Sequence, residues 1–210
     1  MKKEKIILVL NGHIPKKNKL SAIINKYNKI FCADGSANQL LDFGINPDFI
    51  LGDLDSINPN KLKNFNGLVI NMPDQNLNDL EKILIWLIEN NYHDLDIIGM
   101  DGKRIDHTIG NFSIILNYID KLKINIFSES GMFYTVKDKI RFKNLKYNYI
   151  SIFSNDPNNL ISSNGLKYEL KNKKLPKIES GTLNYAINNE VVITCNNNIL
   201  IFIANEQFKE

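Results

Sequence analysis

The chain has 210 residues, enough for one large domain or two small ones, and its 43% hydrophobic and 23% charged residues are those of a globular protein rather than a disordered one. Its net charge of +3, from 26 basic and 23 acidic residues spread along the chain, argues against a nucleic-acid partner. Even the densest basic run, residues 171–177, is broken by Asn172, Leu175 and Pro176 and reads as a solvated loop. Cys32 and Cys195 stand far apart, each in or beside an apolar run, so two reduced, buried thiols are expected. With only three histidines, no zinc centre is visible. The basic residues 1–5 are followed by an apolar run, 6–10, too short for a signal-peptide core or a bilayer span. A cytoplasmic protein without a membrane partner is the expectation.

In chain order, residues 6–10, 30–33, 49–51, 68–71 and 95–99 are apolar runs without in/out alternation, which predicts strands buried on both faces. Helices are predicted between them. One covers residues 36–43 and stops at Gly44, with Pro47 beyond. The clearest carries Leu80, Ile83, Leu84, Leu87 and Ile88 on one stripe. Another runs over about 106–118, with Ile109, Phe112 and Leu116 expected to face the core. Strands alternating with helices predict an open parallel α/β domain, residues 1–122. Beyond it the helical signal ends. Runs at 123–128, 132–136, 140–143, 147–153, 165–170 and 190–194 predict short strands, and 191–195 with 199–203 flank Asn196–Asn198 as a hairpin would. Residues 123–210 therefore read as an antiparallel β-sandwich.

The chemistry concentrates in three loops of the first half. Ala33-Asp34-Gly35-Ser36-Ala37-Asn38, Asn46-Pro47-Asp48 and Gly52-Asp53-Leu54-Asp55-Ser56 hold four aspartates, and the first and last segments each follow a strand. Ligands of open α/β sheets bind at the carboxyl ends of the strands, so Asp34 and Asp53/Asp55 are expected in one crevice. Carboxylates at i, i+2 repel unless a cation lies between them, and magnesium is suited to one or two carboxylates plus phosphate oxygens. Asp also favours turns by bonding its own backbone, the plainer account of such a segment. In the second loop, 73–81, Asn78 with Glu81 fits a helix N-cap; the same helix end could receive a phosphate with Asp79 holding a metal nearby. The third, 99–107, offers Arg104 for bidentate phosphate binding and Asp106 for a metal or ribose, or else a surface turn with a capping Asp. Neither a P-loop nor a GxGxxG is present.

These residues resemble the thiamine pyrophosphokinase family. Its signature of ADGGAN, PD and GDxDS is matched by Asp34, Gly35, Asn38, Pro47, Asp48, Gly52, Asp53, Asp55 and Ser56, with Ser36 replacing a glycine. Its GxxGGRxDH signature with a following Asn is matched by Gly99, Gly102, Arg104, Asp106, His107 and Asn111, with Lys103 replacing a glycine. Residues 165–170 look like its GLKYxL strand, and Thr182-Leu183-Asn184 like its TSN. The middle signature, close to DQDxTD, keeps Asp74, Gln75 and Asp79 but has Asn76 and Asn78 where Asp and Thr are usual.

The resemblance implies ATP and thiamine as substrates, thiamine diphosphate and AMP as products, Mg2+ as cofactor, and a homodimer with its active site between subunits. It implies a magnesium–polyphosphate site of Asp53, Asp55, Asp79 and Asp106, the first three as metal ligands. It assigns Gln75, Asn78, Arg104 and Asn111 to ATP. Asp34 and Asn38 would touch thiamine or the site floor, Thr182 and Asn184 would contribute from the partner's sandwich, and Tyr185 could stack on thiamine. Trp86, mid-helix, reads as core. Two rivals differ in kind: a pyrophosphokinase for another heterocyclic alcohol such as a pterin, and a non-catalytic thiamine or nucleotide sensor.

Overall fold

The computed structural model describes residues 4–63 and 65–205, so Met1–Lys3 of the basic N-terminus lie outside the described residues. The chain divides into two compact units, one up to Ile114 and one from Ile115 onward.

The first unit alternates β1 (Ile6–Val9), α1 (Lys17–Ile24), β2 (Lys29–Ala33), α2 (Asp34–Asp42), β3 (Phe49–Gly52), α3 (Pro59–Leu62), β4 (Leu68–Asn71), α4 (Asp79–Glu89) and β5 (Asp94–Ile98); α5 (Ile105–Tyr118) carries the chain out of it. The strands are parallel, in the order β4-β3-β2-β1-β5. Ile7, Leu8, Val9, Phe31, Cys32, Ile50 and Leu51 are all at 0% exposure, which accounts for the unbroken apolar runs. Trp86 of α4 packs against Phe31, Phe49 and Tyr92, as expected of a core side chain. Gly44, at φ +72, ends α2 by donating its N–H to Leu41 O, a conformation that costs glycine little.

Two expectations fail here. β4 is not buried on both faces: as an edge strand it leaves Leu68 58% and Val69 38% exposed. On α5, Ile109 points outward at 65% exposure, whereas Ile115 and Leu116 are buried. An i, i+3, i+7 series defines a stripe, but α5 also carries Ile105, Ile114, Ile115 and Tyr118, so its apolar residues do not single out one face.

The second unit comprises β6 (Lys123–Phe127), β7 (Gly131–Val136), β8 (Lys139–Lys143), β9 (Tyr149–Phe153), β10 (Ile161–Asn164), β11 (Asn184–Tyr185), β12 (Glu190–Cys195) and β13 (Ile199–Ala204). Its pairings are antiparallel, in the orders β6-β7-β13-β9-β11 and β10-β12-β8. One buried cluster takes Ile150, Ile152, Ile199 and Ile201 from the first set and Ile161, Val191 and Ile193 from the second, as in a sandwich. The predicted 191–203 hairpin is absent. β12 and β13 lie in different sheets, and the N–H groups of Asn196 and Asn197 donate to Asn159 Oδ1 instead of across a turn. Residues 165–170 are a turn rather than a strand: Glu169 Oε1 accepts from the N–H groups of Gly165 and Leu166. Both cysteines are free and buried, and burial pushes the Cys195 thiol up to about 11.

Candidate active site

The carboxyl ends of the first unit's strands open into a cleft of about 520 Å³. Asp34, Asp53, Asp55, Gln75, Asn78, Asp79, Arg104 and Asn111 line it, together with Lys82, Lys103 and His107.

Asp34 is the first residue of α2 and only 4% exposed. Its Oδ1 accepts from Gly35 N at 2.6 Å and its Oδ2 from Leu54 N at 2.9 Å. Leu54, which makes the second bond, sits at φ 70, a strained conformation for a bulky side chain. Gly52 faces the Asp34 carboxyl so closely that an added Cβ would lie 2.6 Å from Cγ. Ligand oxygens of Asp34, Asp53 and Asp55 can all lie within 4.8 Å of one another. Asp53 is held below the ordinary carboxylate range, chiefly by the Asp55 N–H and also by Gln75, whose Nε2 donates to it at 3.3 Å.

For Asp34, burial pushes the carboxyl above its ordinary value; bonds from Gly35 and Leu54 oppose this, and the charges of Asp79 and Asp53 add to it. A raised folded value means the proton is bound more tightly in the folded chain. That contribution to stability is present below the unfolded value, about 3.9, and is lost as pH rises through the folded value. In metal-free buffer, Asp34→Asn should remove this downward slope from a series of urea midpoints against pH. An unchanged slope would contradict the assignment.

The second loop delivers the helix end. Asn78 caps α4, its Oδ1 accepting from Leu80 N at 2.8 Å. Asn78→Ala should cost about 1 kcal/mol and Asn78→Thr much less. Urea unfolding of both variants checks this, with equal stability of the alanine variant and the native chain the contrary result. Asn76 turns away, its N–H and Nδ2 both donating to Asp74 Oδ1.

Lys82 is a functional candidate the sequence reading missed. Its side chain is 6% exposed; Nζ lies 2.7 Å from Asp79 Oδ1 and donates to Met72 O at 3.2 Å. A cation in a helix's first turn opposes the helix dipole, so a lysine between Leu80 and Ile83 was the available signal for a paired charge. Asp79 thus reaches the cleft as half of an ion pair, while the acidic cluster contains Asp34.

In the third loop Arg104 grips Asp106 with two bonds, Nε to Oδ1 at 3.2 Å and Nη2 to Oδ2 at 2.6 Å. Arg104 lines the cleft and Asp106 does not. The guanidinium holds Asp106 below its usual range. Asn111 Nδ2 donates to Met100 O.

Other sequence candidates serve as braces. Asn38 Nδ2 donates to Ser56 O and its Oδ1 accepts from Asn58 N, fixing the loop that carries Asp53 and Asp55. Ser36 donates to both Val9 O and Ala33 O, tying the ends of β1 and β2, which accounts for a hydroxyl in place of glycine. Asp48 accepts from Ile30 N at the amino end of β2, away from the cleft. In the second unit, Asn184 is 7% exposed and its amide is spent on Tyr168 N, Tyr168 O and Tyr185 N. Thr182 donates to Glu179 O, and Leu183, between Thr182 and Asn184, is 81% exposed at φ 60. Tyr185 lies under Lys167, whose Nζ is 4.8 Å from the ring centroid.

Fold and site together define a two-unit protein: an open α/β sheet with an acidic, cation-lined cleft at its carboxyl edge, followed by a β-sandwich. Residues 20–128 match the catalytic domain of thiamin pyrophosphokinase and residues 131–202 its substrate-binding domain. The chain belongs to the thiamin pyrophosphokinase family. "Thiamin pyrophosphokinase 1" of Caenorhabditis elegans is 27% identical over 175 residues, 75% of this chain and 71% of that protein. "Thiamine pyrophosphokinase 1" of rice is 28% identical over 138 residues, 53% of this chain but only 51% of the rice protein. The crystal structure of thiamine pyrophosphokinase from Bacillus subtilis shares the fold at a TM-score of 0.77 and 21% identity, covering 97% of this chain and 100% of that one.

Proposed function

We infer that the chain transfers the pyrophosphoryl group of ATP to the hydroxyl of thiamine, giving thiamine diphosphate and AMP. The observation that carries this is the meeting of Asp34, Asp53 and Asp55 beside the capped end of α4, in a chain whose two halves match that family's catalytic and substrate-binding domains. In the reaction a bond forms between the thiamine hydroxyl oxygen and the β-phosphorus. The bond from β-phosphorus to the oxygen bridging to the α-phosphorus breaks, and the hydroxyl proton is released. Such transfers depend on positioning and charge neutralisation more than on a covalent partner. The N-terminus of α4, kept in shape by Asn78, offers N–H groups to phosphate oxygens. Arg104 can exchange Asp106 for the nucleotide's phosphates, since both of that pair are exposed.

The donor set fits Mg2+, all hard carboxylate oxygens close together. Asp53 and Asp55 would hold it with Asp79 and, on the geometry of the cluster, Asp34; when bound it would neutralise polyphosphate charge. Lys82 would keep Asp79 oriented. For thiamine we propose the sandwich of a second copy, with Tyr185 and the exposed Leu183 toward the ligand and Thr182 beside them, in a homodimer. Exposed Ile105 and Ile109 of α5 are apolar area available for association. No helix among the described residues is long and apolar enough to cross a membrane. Supplying ATP, Mg2+ and either thiamine or a hydroxymethyl pterin tests the reading: AMP should form with thiamine alone, and release with the pterin alone would reassign the substrate.

A further inference from the structure

The three long cations of the cleft differ in what they hold. Lys82 faces Asp79 and Arg104 faces Asp106, each within 2.7 Å. Lys103 instead donates to the neutral Oδ1 of Asn11 at 2.8 Å, and among the described residues no carboxylate is paired with it. Its ammonium thus lines the cleft without a carboxylate at ion-pair distance among the described residues, unlike the other two.

Its place in the sheet is equally specific. From β1 the chain winds outward through β2, β3 and β4, and then returns to put β5 on the other side of β1. Winding reverses between β1 and β5, and ligands of open α/β sheets bind at such a reversal, in a crevice outside the carboxyl ends of the strands. Asn11 follows β1 and Lys103 follows β5, so their bond spans that crevice. Its floor is backbone on backbone: Gly12 N donates to Gly99 O and His13 N to Asp101 O. Asn11 is wedged against α2, where an added Cβ on Gly35 would lie 2.3 Å from its Nδ2.

The acidic cluster stands at the ends of β2 and β3, whereas Lys103 lies in the loop after β5, a strand two spacings, or about 10 Å, from β2. A polyphosphate lying across the strand ends with its transferred portion at the carboxylates brings its nucleoside end to the β1/β5 crevice. Resting on the ATP-dependent function inferred above, we propose that Lys103 is an affinity-determining contact for the α-phosphate, the phosphate that stays with AMP. An ammonium has three N–H groups, so the bond to Asn11 leaves two for phosphate oxygens and also aims them.

Calorimetric titration of the metal-free chain with AMP, and with adenosine as the phosphate-free probe, tests this. Lys103→Met should weaken AMP about tenfold, the scale of one exposed charge-assisted bond, and leave adenosine unchanged. Lys103→Gly should show the same loss and Lys103→Arg should retain most of the affinity. Added salt should weaken AMP binding to the native chain more than to Lys103→Met. Equal AMP affinity in the native chain and Lys103→Met would overturn the contact, as would equal weakening of AMP and adenosine, which would mean that the side chain merely shapes the crevice. If the native chain binds no AMP, it is the ATP reading itself that falls, and this role with it.

Discussion

Asp55→Asn should lower turnover by about a hundredfold to a thousandfold, the scale of losing one charge-stabilising group in an active site. It should do so without loss of thermal stability. The Asp55 side chain is exposed and accepts from the hydroxyl of Ser56, while its own N–H donates to Asp53. Removing one of three neighbouring carboxylates relieves repulsion in the metal-free chain, so its melting temperature should hold or rise. Added Mg2+ should raise the melting temperature of the native chain, because a ligand that binds only the folded state stabilises it, and should do much less for the variant. Normal turnover in Asp55→Asn would reduce Asp53-Leu54-Asp55 to a turn.

Gly12→Ala should be damaging for a different reason. An added Cβ would lie 2.2 Å from both Gly99 O and Asp101 O, backbone atoms that no rotamer change can move. The loops after β1 and β5 would have to part, straining the bonds from Gly12 N to Gly99 O and from His13 N to Asp101 O. Overpacking of this kind costs about 1–3 kcal/mol, which for a chain of this length is a fall in melting temperature of roughly 2–12 °C. AMP affinity should fall with it, since the same contact floors the crevice. Gly110→Ala is the control: an added Cβ would meet nothing within 4 Å beyond its own helix backbone, and in a helix interior alanine should stabilise by about 0.5–1 kcal/mol. Equal stability of Gly12→Ala and the native chain would mean that the two loops are not in contact.

The parallel sheet was legible in the sequence because strands covered on both faces must be continuously apolar. The edge β4 was misjudged because Leu68 and Val69 carry the same composition without the cover. α1 was passed over, since Leu20 and Ile24 are its only buried residues and lysines surround them. β10, Ile161–Asn164, has just one buried apolar side chain to mark it. In the site, motif matching located the loops but could not separate the residues that face the cleft from those that build it. Asn38 and Asp48 sit in the signatures beside Asp53 and Asp55, yet their hydrogen bonds run into the scaffold. The proximity of Asp34 to Asp53 and Asp55 was foreseeable from strand order. The Lys82–Asp79 pair was readable from its i, i+3 spacing on α4, but its burial in the wall of the cleft depends on how that helix packs, which a sequence does not supply.

The most direct test is phosphorus NMR of the chain incubated with ATP, thiamine and Mg2+. AMP and thiamine diphosphate should appear in equal amounts, as they must if ATP is cut between its α- and β-phosphorus. ADP with thiamine monophosphate, or no thiamine-dependent change at all, would contradict pyrophosphoryl transfer by this chain.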